Sequence, residues 1–576
     1  MFKDNFQQEM NQLRELSAEF SKKHPAMAPM LSGPVADPDV ERLNEAVAFQ
    51  TAMLRRKLDD DFPEIIQGLI RIIWPQYLRP VPASTTVAFT PHQPITAAAV
   101  IPAGSTMYSV NVEDISCVFR TCFDVEVHPL SIIDACFDQP AGAAPHVKMV
   151  MELNNIKLSD WKVNSLRFFL SGEYAAASDM YYLLMRNLKA ITIKPLDGGS
   201  SITLPAGFLK DAGFTDEAAL IPYPAHAFPG YRIIQEYFYM PEKFLYVDLD
   251  GWEQWRDRGD GSRFEIYFEF DSLPVRPPRV TRDFFVLFAT PAINVFEHNA
   301  EPILYDHKAP RYLLRPVCSH PEYYQIFSIE HVSGKPQGSA SDRIYKPFEF
   351  FQRDMDSSPV YYTTYHPSII RTEPDVYLSI SYERGRIPQG ETISTVLQCT
   401  NGTLPESLRT GDICINRGTM PKFVKFSNIK PITPSVSAPL DVNMLWKLLS
   451  LMSLNYLSLQ SADNFRSLLD FYIFPNSGNQ LAVTANKKRI SGIESLEDNP
   501  CDLLFKGVML RGREVTMKVR HEHFISTGDM YIFGSALDNF LGGYASINSF
   551  TQLIFKQTLN GETYKWPARL GRQPLI

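Results

Sequence analysis

Cysteine is scarce in this chain. The seven at positions 117, 122, 136, 318, 399, 414 and 501 are scattered through 576 residues and form no CxxC pair. Neither a disulfide framework nor a zinc site is indicated, and a reducing compartment is expected. Long apolar runs are also lacking. The longest uncharged ones, around 284–296 and 448–459, fall short of the roughly 20 residues that a membrane helix requires. Nor is there a surplus of positive charge. With 56 Lys and Arg against 64 Asp and Glu, the net charge of −8 opposes the basic stripe that nucleic acid selects. The opening Met1-Phe-Lys-Asp-Asn-Phe-Gln-Gln-Glu9 carries charge where a signal peptide would place an apolar run. The expectation is a cytoplasmic chain with no nucleic-acid partner and no direct membrane insertion, suited to protein partners.

What the sequence does contain is length, proline and aromatic side chains. A chain of 576 residues exceeds what one core serves, so three or four domains are expected. Its 43 prolines are about half again the usual frequency of roughly 5%, which favours short strands and ordered loops over long bundles. The predicted fold class is α+β and multidomain, with a helical N-terminal segment, β-rich middle domains and a mixed C-terminal domain. The boundaries read as 1–82, 83–250, 251–430 and 440–576.

Residues 2–23 carry Phe6, Met10, Leu13, Ser17 and Phe20 at four-three-four-three spacing, the rhythm of a coiled-coil seam. Taken alone, this is either a surface helix on its own domain or a helix shared with another chain. His24-Pro25 ends it. A second helix is expected from about Asp37, with Val40, Leu43, Val47 and Leu54 on one face. A further helix start is expected at Asp61, whose spacing to Glu64 is that of a capping box with Pro63 in the first turn. Asp59, Asp60 and Asp61 are read as favourable charges at that helix start and not as a metal site.

Farther along, the chain alternates as strands do. Strands are expected at Val118–Cys122, Lys243–Val247, Phe264–Phe270 and Val376–Tyr382, the third placing Phe264, Ile266, Phe268 and Phe270 on one face. The segment 430–439 is the best linker. Helices are expected at 443–459 and 530–546, and strands at 514–524 and 550–555.

No catalytic constellation emerges. Walker, GxGxxG, GxSxG and HExxH patterns are absent. His521 and His523 on a strand would share a face, but two ligands without a third make hydrogen-bonded or interfacial histidines the better reading. Arg258-Gly259-Asp260 reads as a turn, and Asn401-Gly402-Thr403 is a glycosylation sequon by pattern only. No catalytic residue, cofactor or metal is assigned.

Several fragments do have a known counterpart. They are Leu13-Arg-Glu-Leu16, Asp37-Pro-Asp-Val-Glu-Arg-Leu43, Lys57-Leu-Asp-Asp-Asp-Phe-Pro63, Pro75-Gln-Tyr-Leu-Arg-Pro-Val-Pro82, Glu236-Tyr-Phe-Tyr-Met-Pro-Glu-Lys-Phe244, Pro291-Ala-Ile-Asn-Val-Phe296, Cys399-Thr-Asn401, Phe533-Gly534 and Tyr544-Ala-Ser-Ile-Asn-Ser-Phe550. In this order they resemble the TssF (VasA/ImpG) family, baseplate subunits of type VI secretion systems, whereas 138–200 and 330–370 show no clear match. Asp59, Asp60, Asp61, Phe62, Pro63, Asn294, Tyr544, Asn548 and Phe550 are the marking residues.

The resemblance implies a non-enzymatic wedge subunit of a contractile, phage-tail-like machine for protein secretion, docked at the inner-membrane complex. It implies two copies joined with one TssG, and contacts with TssK, TssE, the VgrG hub and neighbouring wedges, the sheath being met indirectly. It also favours the shared-bundle reading of the first helix, with Phe6, Met10, Leu13 and Phe20 at the partner interface. The alternatives are a phage-like polysaccharide or cell-wall hydrolase, or a β-rich binding protein.

Overall fold

The computed structural model describes residues 38–571 except 93–94, 96, 143, 224–227, 337–341, 349–358, 367, 369–372, 382–389, 419, 441–460, 475–477 and 506, and before residue 38 it describes 6, 7, 10, 11, 13 and 15–17. The expected helix 443–459 and Phe20 lie outside the described residues. Helix α1, Pro38–Ile73, is 36 residues long and therefore spans about 54 Å. The helix start expected at Asp61 is not there, because α1 runs unbroken through Pro63. A proline inside a helix forfeits one backbone hydrogen bond. Here it sits one turn ahead of Ile66 and Ile70, whose burial in the main core holds the helix on course.

Behind α1, extended chain builds a body of three larger sheets and a two-stranded one, Ala99–Ile101 with Val125–Val127. The six-stranded sheet runs in the order Ile413–Ile415, Thr106–Val112, Ile115–Thr121, Ala289–Ile293, Ser84–Pro91, Val424–Asn428. A five-stranded sheet places Arg263–Phe270 between Leu188–Pro195 and His146–Leu153, and a four-stranded sheet is centred on Tyr246–Leu249 and Leu166–Leu170. Phe264, Ile266, Phe268 and Phe270 are buried, as alternation predicts. Glu265, on the other face, is buried too and is neutralised by Lys148 at 2.8 Å. Strand pairing crosses the expected 250/251 boundary, since Arg263–Phe270 pairs with His146–Leu153.

Residues 430–439 are not a free linker. Ile429 N–H donates to Thr86 O, Thr433 N–H to Ser84 O, and Val436 bridges Val81, so this stretch continues the six-stranded sheet. Its prolines leave alternate backbone groups free to pair, which the composition alone does not reveal.

Between Ala289–Ile293 and Ile413–Ile415, the chain leaves the body to form an inserted domain. Its eight-stranded sheet runs Phe296–Asn299, Glu391–Thr400, Gln325–Pro336, Arg343–Pro347, Val360–His366, Asp375–Ser381, Tyr312–Leu313, with Ile303–Tyr305 also on Glu391–Thr400. It has its own hydrophobic core, which includes Phe296, Val332, Tyr345, Leu378, Ile393 and Leu397.

The C-terminal part carries helices α4 (Ala462–Asp470), α5 (Gln480–Ser491) and α6 (Thr527–Gly542) beside a sheet in which Val508–Val519 and Ser549–Gln557 pair in parallel across α6. Helix α6 packs on α2 (Tyr174–Arg186) and α3 (Pro229–Tyr239) of the body. At the α2–α6 crossing, Gly528 comes so close that a Cβ there would lie 2.0 Å from Ser178 O.

Candidate functional site

On α1, one face of side chains has no cover. At 3.6 residues per turn, Leu43, Val47, Ile65, Leu69 and Ile72 fall within about 80° of arc. These five are 42% to 65% exposed, while Ala48, Ile66 and Ile70 on the adjoining face are buried. Scattered exposed apolar residues are ordinary, but described ones that share one arc of the helix over 43–47 and again over 65–72 mark an interaction surface. Ahead of it, Phe6, Met10 and Leu13 are helical, with Met10 buried and Phe6 and Leu13 half-buried. Asp59, Asp60, Asp61, Phe62 and Pro63 lie within α1 itself, and their side chains are outside the described residues.

The C-terminal end of α1 is fixed to the body. Trp74 is buried and stacks near Tyr231, with ring centroids 4.1 Å apart. Two turns earlier, Gln67 reaches the inserted domain. Its Nε2 donates to Tyr365 O at 3.1 Å and its Oε1 accepts from Tyr365 N–H at 3.2 Å. Gln67 was not singled out from the sequence, although a lone amide within Ile65-Ile66-Gln67-Gly68-Leu69-Ile70 is the pattern of a buried polar group that needs a partner.

The two chain crossings into the inserted domain are joined by asparagines. Asn294 Nδ2 donates to Val118 O at 2.7 Å and to Asn401 Oδ1 at 2.8 Å, and Asn294 Oδ1 accepts from Asn401 N–H at 2.6 Å. Asn401 Oδ1 accepts in addition from Val118 N–H at 3.1 Å. Both residues are buried. The Asn401 side chain is therefore committed to this neck, and the sequon pattern it begins has a structural use.

Tyr544 follows α6 and meets Tyr231 hydroxyl to hydroxyl at 2.5 Å, in an aromatic group with Phe228 and Phe540. Asn548 occupies a left-handed turn at φ 69°, a conformation that asparagine tolerates well. Phe550 is buried on the next strand and covers Gly512, where a Cβ would lie 2.4 Å from its ring. Gly534 likewise makes room for Trp566, 2.3 Å from the position of an added Cβ.

Two fully buried carboxylates among the described residues are paired with cations. Asp529 accepts from Arg489 Nε at 2.9 Å and from the Tyr174 and Tyr237 hydroxyls at 3.0 Å each, tying the body to the C-terminal part. Glu236, fully buried, pairs with Lys243 and accepts from Leu220 N–H at 2.8 Å and Ile221 N–H at 3.0 Å. That pair accounts for the 236–244 fragment as a structural clasp. The sequence gives no cue to the Arg489–Asp529 pairing, because its members belong to elements that only the fold brings together.

The strand expected over 514–524 stops at Val519, and His521–His523 form a tight turn instead. Arg520 N–H donates to Gly492 O and bends the chain off the sheet. His521 faces Thr527 at 3.0 Å and His523 faces Lys488 O at 2.8 Å, so the two imidazoles serve different elements. Arg258 donates to the carbonyls of Trp161, Trp252 and Trp255, with Gly259 at φ 70° in the turn. His128 is buried against Trp161, and burial pushes its imidazole down to about 4. Among the described residues, no group of three His, Cys, Asp or Glu is placed to hold a metal ion, and no helix is long and apolar enough to cross a membrane.

The chain is 29% identical to the type VI secretion system component TssF1 of Pseudomonas aeruginosa, over 99% of this chain and 98% of that protein. Its fold is similar to that of a chain in the cryo-electron-microscopy structure of the type VI secretion system TssK-TssF-TssG baseplate subcomplex. That match has a TM-score of 0.78 at 26% identity, covering 92% of this chain and 98% of the other. A chain of the baseplate complex from the type VI secretion system shares the fold at TM-score 0.61 and 23% identity, with both chains covered in full. The family model described as Type VI secretion system, TssF, matches residues 1–573. On that end-to-end match, this chain belongs to the TssF family, a component of the type VI secretion baseplate.

Proposed function

We propose that this chain is a structural wedge subunit whose N-terminal helices join a bundle shared with TssG and a second copy of the chain. The observation that carries the reading is the exposed apolar set Leu43, Val47, Ile65, Leu69 and Ile72 on one arc of α1, beside the seam spacing of Phe6, Met10 and Leu13 in the sequence. Such a stripe gains stability only when another apolar surface covers it, at about 25 cal/mol per Å² removed from water. A TssF chain occurs with TssG and TssK in the similar structure, so the same two proteins are the first partners proposed here. TssE, the VgrG hub and neighbouring wedges follow as contacts of the assembled ring in the cytoplasm, at the inner-membrane complex. The chain's role is mechanical and involves no catalysis, a reading that family membership favours over the hydrolase alternative.

The test is co-expression of the full chain with TssG and TssK, followed by affinity purification. Glutamate at Phe6 and Leu13, which are half-buried, is expected to abolish recovery of TssG while the chain keeps its circular dichroism spectrum. Unchanged recovery would remove the bundle role.

A further inference from the structure

Three buried amide side chains border the inserted domain, and each stands in for a missing strand. At the neck, Ala289–Ile293 pairs with Ile115–Thr121 only as far as Ile293 opposite Arg120. The backbone then turns away, and Asn294 and Asn401 take up both the carbonyl and the N–H of Val118 in its place. At the far side, Val360–His366 pairs along its whole length with Asp375–Ser381, but with Arg343–Pro347 only at Val360 and Tyr361. Beyond Tyr361, no strand among the described residues pairs with the other edge, and the Gln67 amide pairs with both backbone groups of Tyr365 as a neighbouring strand would. The Arg71 guanidinium lies over the Tyr365 ring, 5.8 Å from its centroid.

The attachment is thus uneven. Phe327, at a bulge close to the neck, inserts into the body's core, while the domain's own buried core is a separate cluster that meets the body's through Tyr324 and Tyr365. Away from the neck, the described residues give the domain one polar attachment to α1, at Gln67. At the neck, Tyr323 also donates its hydroxyl to Glu113 of the body, and at α1 the Arg71 contact accompanies the Gln67 amide, so a body with its own core is held along two lines and has one axis about which it can turn.

We infer that the inserted domain is a rigid lever hinged at Asn294–Val295 and Asn401, and that the Gln67–Tyr365 amide pair is the releasable clasp that sets its angle to α1. The clasp does not require the proposed bundle. Only its further consequence, that a partner covering α1 sets the lever's angle, rests on that reading. Gln67 lies on the side of α1 away from the exposed stripe, so a partner can occupy the stripe with the clasp closed. Bending or rotating α1 is then the motion that would open it.

The experiment uses the full chain without partners, with Cys136, Cys318, Cys414 and Cys501 replaced by serine. Spin labels go at Ile344→Cys on the inserted domain and Val100→Cys on the body, both well exposed. The distance between them is read by pulsed electron resonance, and amide exchange is measured in parallel. The unsubstituted clasp is expected to give one narrow distance. Gln67→Leu, which removes both hydrogen bonds at similar volume, is expected to add a second distance and to speed exchange of the Tyr365 amide about tenfold. Protection of Glu391–Thr400 is expected to stay unchanged. Gln67→Glu keeps the acceptor for Tyr365 N–H and loses the donor, and is expected to fall between. A single unshifted distance in Gln67→Leu overturns the inference. So does loss of protection in Glu391–Thr400, because the domain would then be loosening internally and not turning as a body.

Discussion

Asn294 and Asn401 lie 107 residues apart and hold each other at the neck of the inserted domain, amide nitrogen to amide oxygen at 2.8 Å and backbone N–H to amide oxygen at 2.6 Å. Each also serves Val118, so one residue of the body's sheet reads both side chains. Removing either asparagine strands buried polar groups on the other and on Val118. Asn294→Ala and Asn401→Ala are each expected to cost about 2–4 kcal/mol in urea unfolding. The double variant should cost less than their sum by about 1–2 kcal/mol, because the two act as one unit. Additive losses would show that the asparagines work separately.

Gly528 places the body and the C-terminal part in backbone contact. A methyl group there would overlap Ser178 O, and Gly528 N–H donates to Asp179 Oδ1 at 2.8 Å. Gly528→Ala is expected to lower stability by about 3 kcal/mol, seen as a lower urea midpoint with an unchanged slope. A midpoint within error of the original would mean that the crossing relaxes freely.

Asp529 sits at the same crossing with Arg489, Tyr174 and Tyr237 around it, and it is fully buried. Asp529→Ala leaves a buried guanidinium without its partner and should cost about 3–5 kcal/mol. Thermal unfolding followed by separate probes in the body and the C-terminal part should then lose coincidence. Coincident transitions at the original temperature would contradict the role of Asp529, through Tyr174 and Tyr237, as the tie between them.

His128 gives the fold a defined acid response. Burial lowers its imidazole from 6.5 to about 4 in the folded chain, so between those values the unfolded chain binds more protons. Stability therefore rises with pH across this window. The contribution is complete above about pH 6.5 and lost as pH falls to about 4, a difference of about 3 kcal/mol. His128→Gln keeps an acceptor for Trp161 Nε1–H, which meets His128 Nδ1 at 3.3 Å, and removes the titration. Urea unfolding at pH 7, 5.5 and 4 should show the variant losing about 3 kcal/mol less than the parent. Parallel curves would contradict the assignment.

Much of this architecture can be read from residue order, and the exceptions have physical causes. The alternation of Phe264, Ile266, Phe268 and Phe270 gives a strand because one face is buried, and the structure has it. The α1 face is legible as Leu43 and Val47 at helical spacing, but the continuity of the helix itself is hidden by Pro63, which reads locally as a helix start. The proline-rich 430–439 stretch read as a linker because composition does not show whose edge a chain will lie along. Asn294 was marked by family resemblance alone, and its partner across the neck is apparent only in three dimensions. Gln67, His128 and the Arg489–Asp529 pair depend on contacts between distant segments, which periodicity does not encode.

The central claim is that the exposed stripe of α1 is the surface by which this chain enters the baseplate. Its most direct test is co-purification of TssG with the full chain carrying Leu43→Glu, Val47→Glu and Ile65→Glu, three positions exposed in the free chain and so tolerant of charge. The account predicts that the variant melts at the parent's temperature and retains no TssG. Recovery of TssG at the parent's yield would contradict it.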